Sequence, residues 1–398
     1  DPFNQNAEPV KCPSVTEDTS NSKFFNVGVK PGVSTNMFEI TFTCDPLINA
    51  TTCDKAKKSF EKAGEIFSSV LLLNTPIRIN ASLIPLSDDT ILVKQFQFPT
   101  HPEYASDDII AVFNSRSDYY FEDDPIVGPQ PIGFLELIVH EIVHGLGFIT
   151  SWKPLLNSNV TTELVPRLNI TMDGDSTKPL TYYGFVETIF DAFLVTAEGD
   201  KFSNFTDQLN NFTPLGTKFQ NQQAFLDSFM NSTQYNIAKM VLNYSQTPNS
   251  MVFLANPQSE LIWLETTLFP YLKGSSISHF SLQIYDNTTD FLMTYLQRPG
   301  RSLETAMKQN NATCAIGPKL LLLLETIGYA TPNKPNPEIP SPIDPPPVNV
   351  TKTSKDYNVS ISSSSPNISR PTNALSNAGC VITNNYGWIN LVVSLSVG

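Results

Sequence analysis

The chain predicts an α+β fold on three grounds: its first third alternates strand-like and helix-like segments, a helical run apolar on nearly every side follows, and the later part adds more helical periods. Phe38-Glu39-Ile40-Thr41-Phe42-Thr43 alternates apolar and polar side chains, the period of a half-buried strand. Residues 54–72 space Ala56, Phe60, Ala63, Phe67 and Val70 three or four apart, which puts them on one side of a helix. Residues 76–82 and 108–113 read as further strands, so the order implies a mixed sheet with helices packed on it. Pro131 suits the first position of a helix, and Phe134-Leu135-Glu136-Leu137-Ile138-Val139 is apolar almost all round, so this helix should be buried. Gly145 and Gly147 supply its stop signal. Beyond it, residues 183–195 and 235–242 have helical character, and Pro318 to Ile327, followed by Gly328, reads as a closing helix. Between Thr331 and Pro347 eight of seventeen residues are proline, and a Ser/Thr/Asn-rich run continues to about Asn377. Such a stretch buries too little apolar surface to fold and is expected to be a disordered stalk. The divisions expected are 1–147, 148–330, a stalk over 331–379 and a tail over 380–398.

The balance of charges narrows the function. A net charge of -13 without a basic patch argues against a nucleic-acid partner, while 40% hydrophobic residues suffice for a substantial core. Thirteen Asn-X-Ser/Thr sequons point to a glycoprotein of the secretory pathway: Asn49, Asn80, Asn159, Asn169, Asn204, Asn211, Asn231, Asn243, Asn287, Asn311, Asn349, Asn358 and Asn367. The sequence begins at Asp1 without Met, which fits removal of a leader. Of the five cysteines, Cys380 opens a terminus in which small residues (376–379), a mostly polar spacer and an apolar run from Trp388 follow in turn. That succession resembles a lipid-anchor (GPI) signal, whose removal would leave four cysteines; a short terminal strand is the other reading. Cys44 and Cys53 flank a short loop containing Asp45-Pro46 and are expected to pair, which leaves Cys12 with Cys314.

The chemistry concentrates at His140-Glu141-Ile142-Val143-His144, followed by Gly145-Leu146-Gly147-Phe148. On a helix, residues four apart share a face, so both imidazoles can bind one metal ion while Glu141 reaches a metal-bound water. The chain has only 4 His and spends two of them here. A catalytic zinc site keeps three protein ligands, so one more is required. In the pattern HExxHxxGxxH the third ligand falls at Thr150, which is no zinc ligand. His101, in Thr100-His101-Pro102, reads as an ordinary surface residue; His279 precedes Leu292-Met293-Thr294 by a short interval. Glu187 and Glu163 are the rival ligands, as in zinc enzymes whose third ligand is a downstream glutamate.

With HEIVHGLGF at 140–148, SHF at 278–280 and LMT at 292–294, the chain resembles the leishmanolysin-like metzincins, in which a long insertion separates the turn glycine from the third histidine. The resemblance spans about residues 38–330. It implies one zinc ion held by His140, His144 and His279, Glu141 as general base, Met293 under the metal, and Tyr295 as a candidate helper of the oxyanion. It also implies a twisted mixed sheet with two long helices above a cleft and a mainly helical lower subdomain. The expected activity is that of a secreted or cell-surface metalloendopeptidase, a monomer acting on polypeptides and meeting the membrane only through a lipid anchor. The strand near Ile109 to Phe113, or a neighbour, is expected to form the upper rim of the cleft, an edge to which an extended peptide could add. A glycosylated adhesion protein that keeps an inactive fold is the alternative, against which the intact HExxH argues.

Overall fold

The computed structural model describes residues 36–44, 48–83, 107–113, 117–125, 130–155, 161–172, 176–255, 260–336, 340, 378–383 and 391–395. The amino-terminal segment, His101 and most of the expected stalk lie outside these residues.

The first half forms β1 (Phe38–Cys44), α1 (Ala50–Val70), β2 (Ile77–Leu83), β3 (Ile109–Phe113), β4 (Tyr119–Tyr120), β5 (Ile132–Gly133) and α2 (Phe134–Gly145). Asn49 starts α1 by accepting the Thr52 N–H on its side-chain oxygen at 2.8 Å. Ala56, Phe60, Ala63, Phe67 and Val70 are all buried, as their spacing requires. The Phe60 ring sits 5.3 Å from Phe42, 5.5 Å from Phe113 and 6.4 Å from Phe134, so one side chain joins two strands and both long helices. Truncating such a ring to alanine costs about 3–5 kcal/mol.

β1, β2 and β3 are parallel neighbours. The tail supplies β12 (Ala378–Thr383), antiparallel to β3, and β13 (Leu391–Leu395), antiparallel to β12. The sheet is therefore mixed, with the order β1-β2-β3-β12-β13. β3 itself is paired on both sides and is no edge, so of the two options for the rim strand only a neighbour remains. Its residues Ile109, Ala111, Val112 and Phe113 are buried, the near-continuous apolar run of an interior strand. Ala378–Thr383 and Leu391–Leu395, which fall within the stretch that reads as an anchor signal, are strands of this sheet.

The second half begins with β6 (Arg167–Met172), β7 (Leu180–Val186), β8 (Leu194–Thr196), α3 (Phe202–Asn210), β9 (Lys218–Phe219), α4 (Gln222–Met230) and α5 (Gln234–Tyr244). It continues with β10 (Met251–Ala255), β11 (Glu260–Trp263), α6 (Leu282–Tyr285), α7 (Leu303–Gln309) and α8 (Pro318–Ile327). Helices and small sheets share it. The helix expected over 183–195 is instead the end of β7, a 3-10 turn at Asp191–Phe193 and β8, because β6 and β10 offer ladder partners on either side of the turn. The helix expected from Pro131 begins at Phe134: Pro131 accepts the Gly300 N–H, and Ile132 pairs with Tyr119 in an extended register.

Buried apolar residues from Phe38 to Tyr329 form one continuous cluster, with a small satellite of Val195, Val252 and Leu254. Cys44 and Cys53 are bonded as expected. Cys314 is also disulfide-bonded, and Cys12, its expected partner, lies outside the described residues. Among the described sequons, Asn49, Asn169, Asn204, Asn211, Asn231, Asn243, Asn287 and Asn311 are exposed, and Asn80, within β2, is half-buried. No helix among the described residues is long and apolar enough to cross a membrane.

Candidate metal centre

α2 is buried at all twelve of its positions, which fits a helix without a polar face. His140 and His144 stand one turn apart on it. Gly147 ends the helix at φ 111, a backbone conformation that suits glycine, and the Phe148 N–H closes the turn on the Val143 carbonyl at 3.2 Å. The reversal brings the Phe148 carbonyl back to His144, whose Nδ1 donates to it at 2.8 Å. The turn glycine thus orients the second histidine.

His279 arrives on the loop between β11 and α6. Glu265 brackets this loop: its N–H donates to the His279 carbonyl at 2.8 Å, and its own carbonyl accepts from Ile277 at 2.9 Å. Its carboxylate takes the Thr267 and Leu282 N–H groups at 2.8 and 2.9 Å. Ile277, two residues before His279, is held at φ 70, a strained conformation for a β-branched side chain. His279 Nδ1 then donates to the Ser275 carbonyl at 3.0 Å.

The Met293 segment meets the site through its main chain. Met293 is fully buried at the end of the 3-10 turn Phe291–Met293, and its carbonyl accepts the Phe280 N–H at 2.8 Å. The neighbouring Leu292 carbonyl accepts from His140 Nδ1 at 2.7 Å. A carbonyl only accepts, so all three Nδ1 atoms carry the ring proton and all three Nε2 atoms present bare lone pairs. These nitrogens lie 3.0 Å (His140–His279), 3.1 Å (His140–His144) and 3.3 Å (His144–His279) apart. Three lone pairs at such distances repel unless a cation lies between them, and the three residues could hold a metal ion.

Burial reinforces this. It lowers the pKa of His140 to about 4 and of His144 to about 3, and that of His279 far below its ordinary value, so all three stay neutral near pH 7. Burial also raises Glu141 to about 8, and neither of its carboxylate oxygens has a hydrogen-bond partner. An orphaned buried carboxylate is costly by itself; a divalent cation beside it would favour its charged form. Tyr295, half-buried, follows Thr294, which bridges to Phe280; burial, then Glu265, raises its pKa.

The rival ligands lie elsewhere. Glu187 accepts from Ser203 Oγ at 2.8 Å and Thr206 Oγ1 at 2.5 Å, and Glu163 from the Leu155 N–H at 3.1 Å. Thr150, where the contiguous motif has its third histidine, donates to Asp191 at 2.6 Å.

One part of the surroundings escaped the sequence reading. Glu136, four residues before His140 and so on the same face of α2, forms a buried ion pair with Arg301 at 2.7 Å, and Arg301 stacks 5.8 Å from the centre of the Phe291 ring. The pair ties the first turn of the histidine helix to the Met293 segment. The i, i+4 spacing of Glu136, His140 and His144 was the available signal.

An α+β fold with a buried three-imidazole centre able to hold a metal ion defines the class of protein. The chain belongs to the SPBPB7E8-like family, whose model matches residues 12–90 and 88–369. It is 27% identical over 368 residues to a protein of Schizosaccharomyces pombe described as uncharacterized protein PB7E8.01, across 75% of this chain and 64% of that protein. The chain thus spans a little under two thirds of that relative's length. No solved structure matches it.

Proposed function

We propose that the protein is a secreted or cell-surface zinc-dependent endopeptidase of metzincin type. The convergence of three proton-free Nε2 atoms, beside a buried glutamate with no partner, carries this reading. The donor set fits zinc, which accepts neutral imidazoles in a tetrahedral arrangement and leaves a fourth position for water. Zinc in such a site acidifies that water and polarises a carbonyl. The chain's own residues supply the rest. Glu141 accepts the proton of the attacking water and returns it to the leaving amine. The Leu292, Phe148 and Ser275 carbonyls keep the imidazoles in the tautomer that leaves Nε2 free. Tyr295, two residues after Met293, would assist the developing oxyanion. Eight exposed sequon asparagines support passage through the secretory pathway.

The test combines metal analysis with cleavage. Protein purified from a secreting host should carry about one zinc per chain and cut a mixed peptide library in a chelator-sensitive way. Bound zinc without cleavage would favour an adhesion protein retaining an inactive fold, and absence of stoichiometric metal would remove the reading.

A further inference from the structure

Thr150 stands where the contiguous motif carries its third ligand, and here it has another task. Its hydroxyl donates to Asp191 Oδ1 at 2.6 Å, and its N–H donates to Ser278 Oγ at 3.3 Å, one residue before His279. Asp191 is fully buried. Its Oδ2 accepts from the Ser151 N–H at 2.8 Å, Ser151 Oγ at 2.6 Å and the Thr188 N–H at 3.0 Å. Thr188 Oγ1 lies 2.8 Å from the same oxygen and 3.0 Å from the Ile149 carbonyl, so its single proton serves one or the other. The flanking rings repeat the connection: Phe148 packs 5.0 Å from Phe190 and 5.1 Å from Phe280.

The carboxylate together with Thr150 therefore ties residues 148–151, 188–191 and 278–280 to one another. The first segment carries the carbonyl that orients His144, and the last carries His279 itself. If stability were the sole demand, an apolar side chain would fill this place without the desolvation cost of a buried carboxylate. The donors around Asp191 instead fix backbone position, which sets whether three nitrogens from separate segments meet at one point.

We propose that Asp191 is a positioning residue for the metal centre: by holding Thr150 and Ser151 it sets the Phe148 carbonyl for His144, and through Thr150 and Ser278 it sets the approach of His279. The inference rests on His140, His144 and His279 being metal ligands. The protein's long connection between α2 and the His279 loop thereby contributes to the site through a residue that touches neither metal nor substrate.

The experiment is a cobalt(II) titration of the metal-free full chain, read by visible absorption, with thermal unfolding of each metal-free variant alongside. Asp191→Ala should weaken cobalt binding by about 10–100-fold and alter the d–d bands, while Asp191→Asn, which keeps the shape, should recover part of the loss. Glu163→Ala removes another buried carboxylate, held by the Leu155 N–H at 3.1 Å and the Tyr235 hydroxyl at 3.4 Å. It should lower the unfolding temperature and leave cobalt affinity and spectrum unchanged. Asp191→Ala with wild-type affinity and spectrum overturns the proposal, as does an equal loss of affinity in Glu163→Ala. Should Asp191→Ala fail to fold, Asp191→Asn is judged by the same two criteria. A wild-type chain that binds no cobalt overturns the metal reading itself, and the role of Asp191 falls with it.

Discussion

His140 Nε2 and His279 Nε2 lie 3.0 Å apart across 139 residues of chain, while each ring commits its Nδ1 proton to a main-chain carbonyl. Neither Nε2 can donate to the other, so the closeness is enforced from outside the pair, by the Leu292 and Ser275 carbonyls. Without a cation the arrangement is repulsive; a cation among the three nitrogens would relieve it. That preorganisation distinguishes the centre from histidines that merely satisfy one another in a core.

Removing the distant imidazole should therefore abolish tight metal binding. His279→Ala is expected to weaken zinc affinity by on the order of 100-fold or more, and Glu187→Ala to leave it unchanged, because Ser203 and Thr206 already occupy the Glu187 carboxylate. Competition with a chromophoric chelator gives both values. Metal retained in His279→Ala and lost in Glu187→Ala would reverse the ligand assignment.

Glu141 should matter to turnover and not to the metal. Glu141→Gln keeps size and burial but cannot take a proton, so the rate of peptide cleavage should fall by about three orders of magnitude with zinc content intact. Near-normal turnover in this variant would show that another group is the base.

The pH dependence of stability should carry the mark of Glu136. Burial raises its pKa from 4.5 to about 6, with Arg301 pulling the other way. A carboxyl whose folded pKa is raised binds its proton more tightly in the fold. Its contribution is thus complete below pH 4.5 and is lost as the pH rises through 6. Glu136→Gln imitates the protonated form at every pH. The stability of metal-free wild type relative to metal-free Glu136→Gln should consequently fall by about 2 kcal/mol between pH 4.5 and 7. Urea unfolding of both proteins at the two pH values measures this, and a constant difference would mean that the carboxyl is hydrated.

Gly317 tests the packing beneath the site. A Cβ there would lie 2.3 Å from Asp290 Oδ1 and 2.4 Å from the Thr289 carbonyl, at the point where Asp290 accepts the first N–H groups of α8 and leads into the Met293 turn. Gly317→Ala should destabilise the protein by about 1–3 kcal/mol, visible in the unfolding midpoint. An unchanged midpoint would indicate that this approach is looser than described.

Where periodicity was strong, the sequence sufficed. The five apolar positions of α1, the buried character of α2 and the stop of α8 at Gly328 all follow from spacing and one glycine, because a helix repeats its own pattern locally. Residues 183–195 misled for the converse reason: an aromatic and β-branched stretch suits either period, and pairing with other strands, β6 just before it and the distant β10, decided which. The same holds for β3, whose status as an interior strand depends on a partner from residues 378–383.

For the site, the amino-acid order alone determined that His140 and His144 share a helical face with Glu141 between them, since four residues make one turn. It also limited the third histidine to two candidates. Only the tertiary structure decided that His279 is the one that arrives, which carbonyls hold each ring, and that Asp191 and the Glu136–Arg301 pair brace the segments around them. Several of those relationships join residues 40 to 165 positions apart, and no local period encodes a contact at that range; burial and hydrogen-bond satisfaction in the folded chain select it.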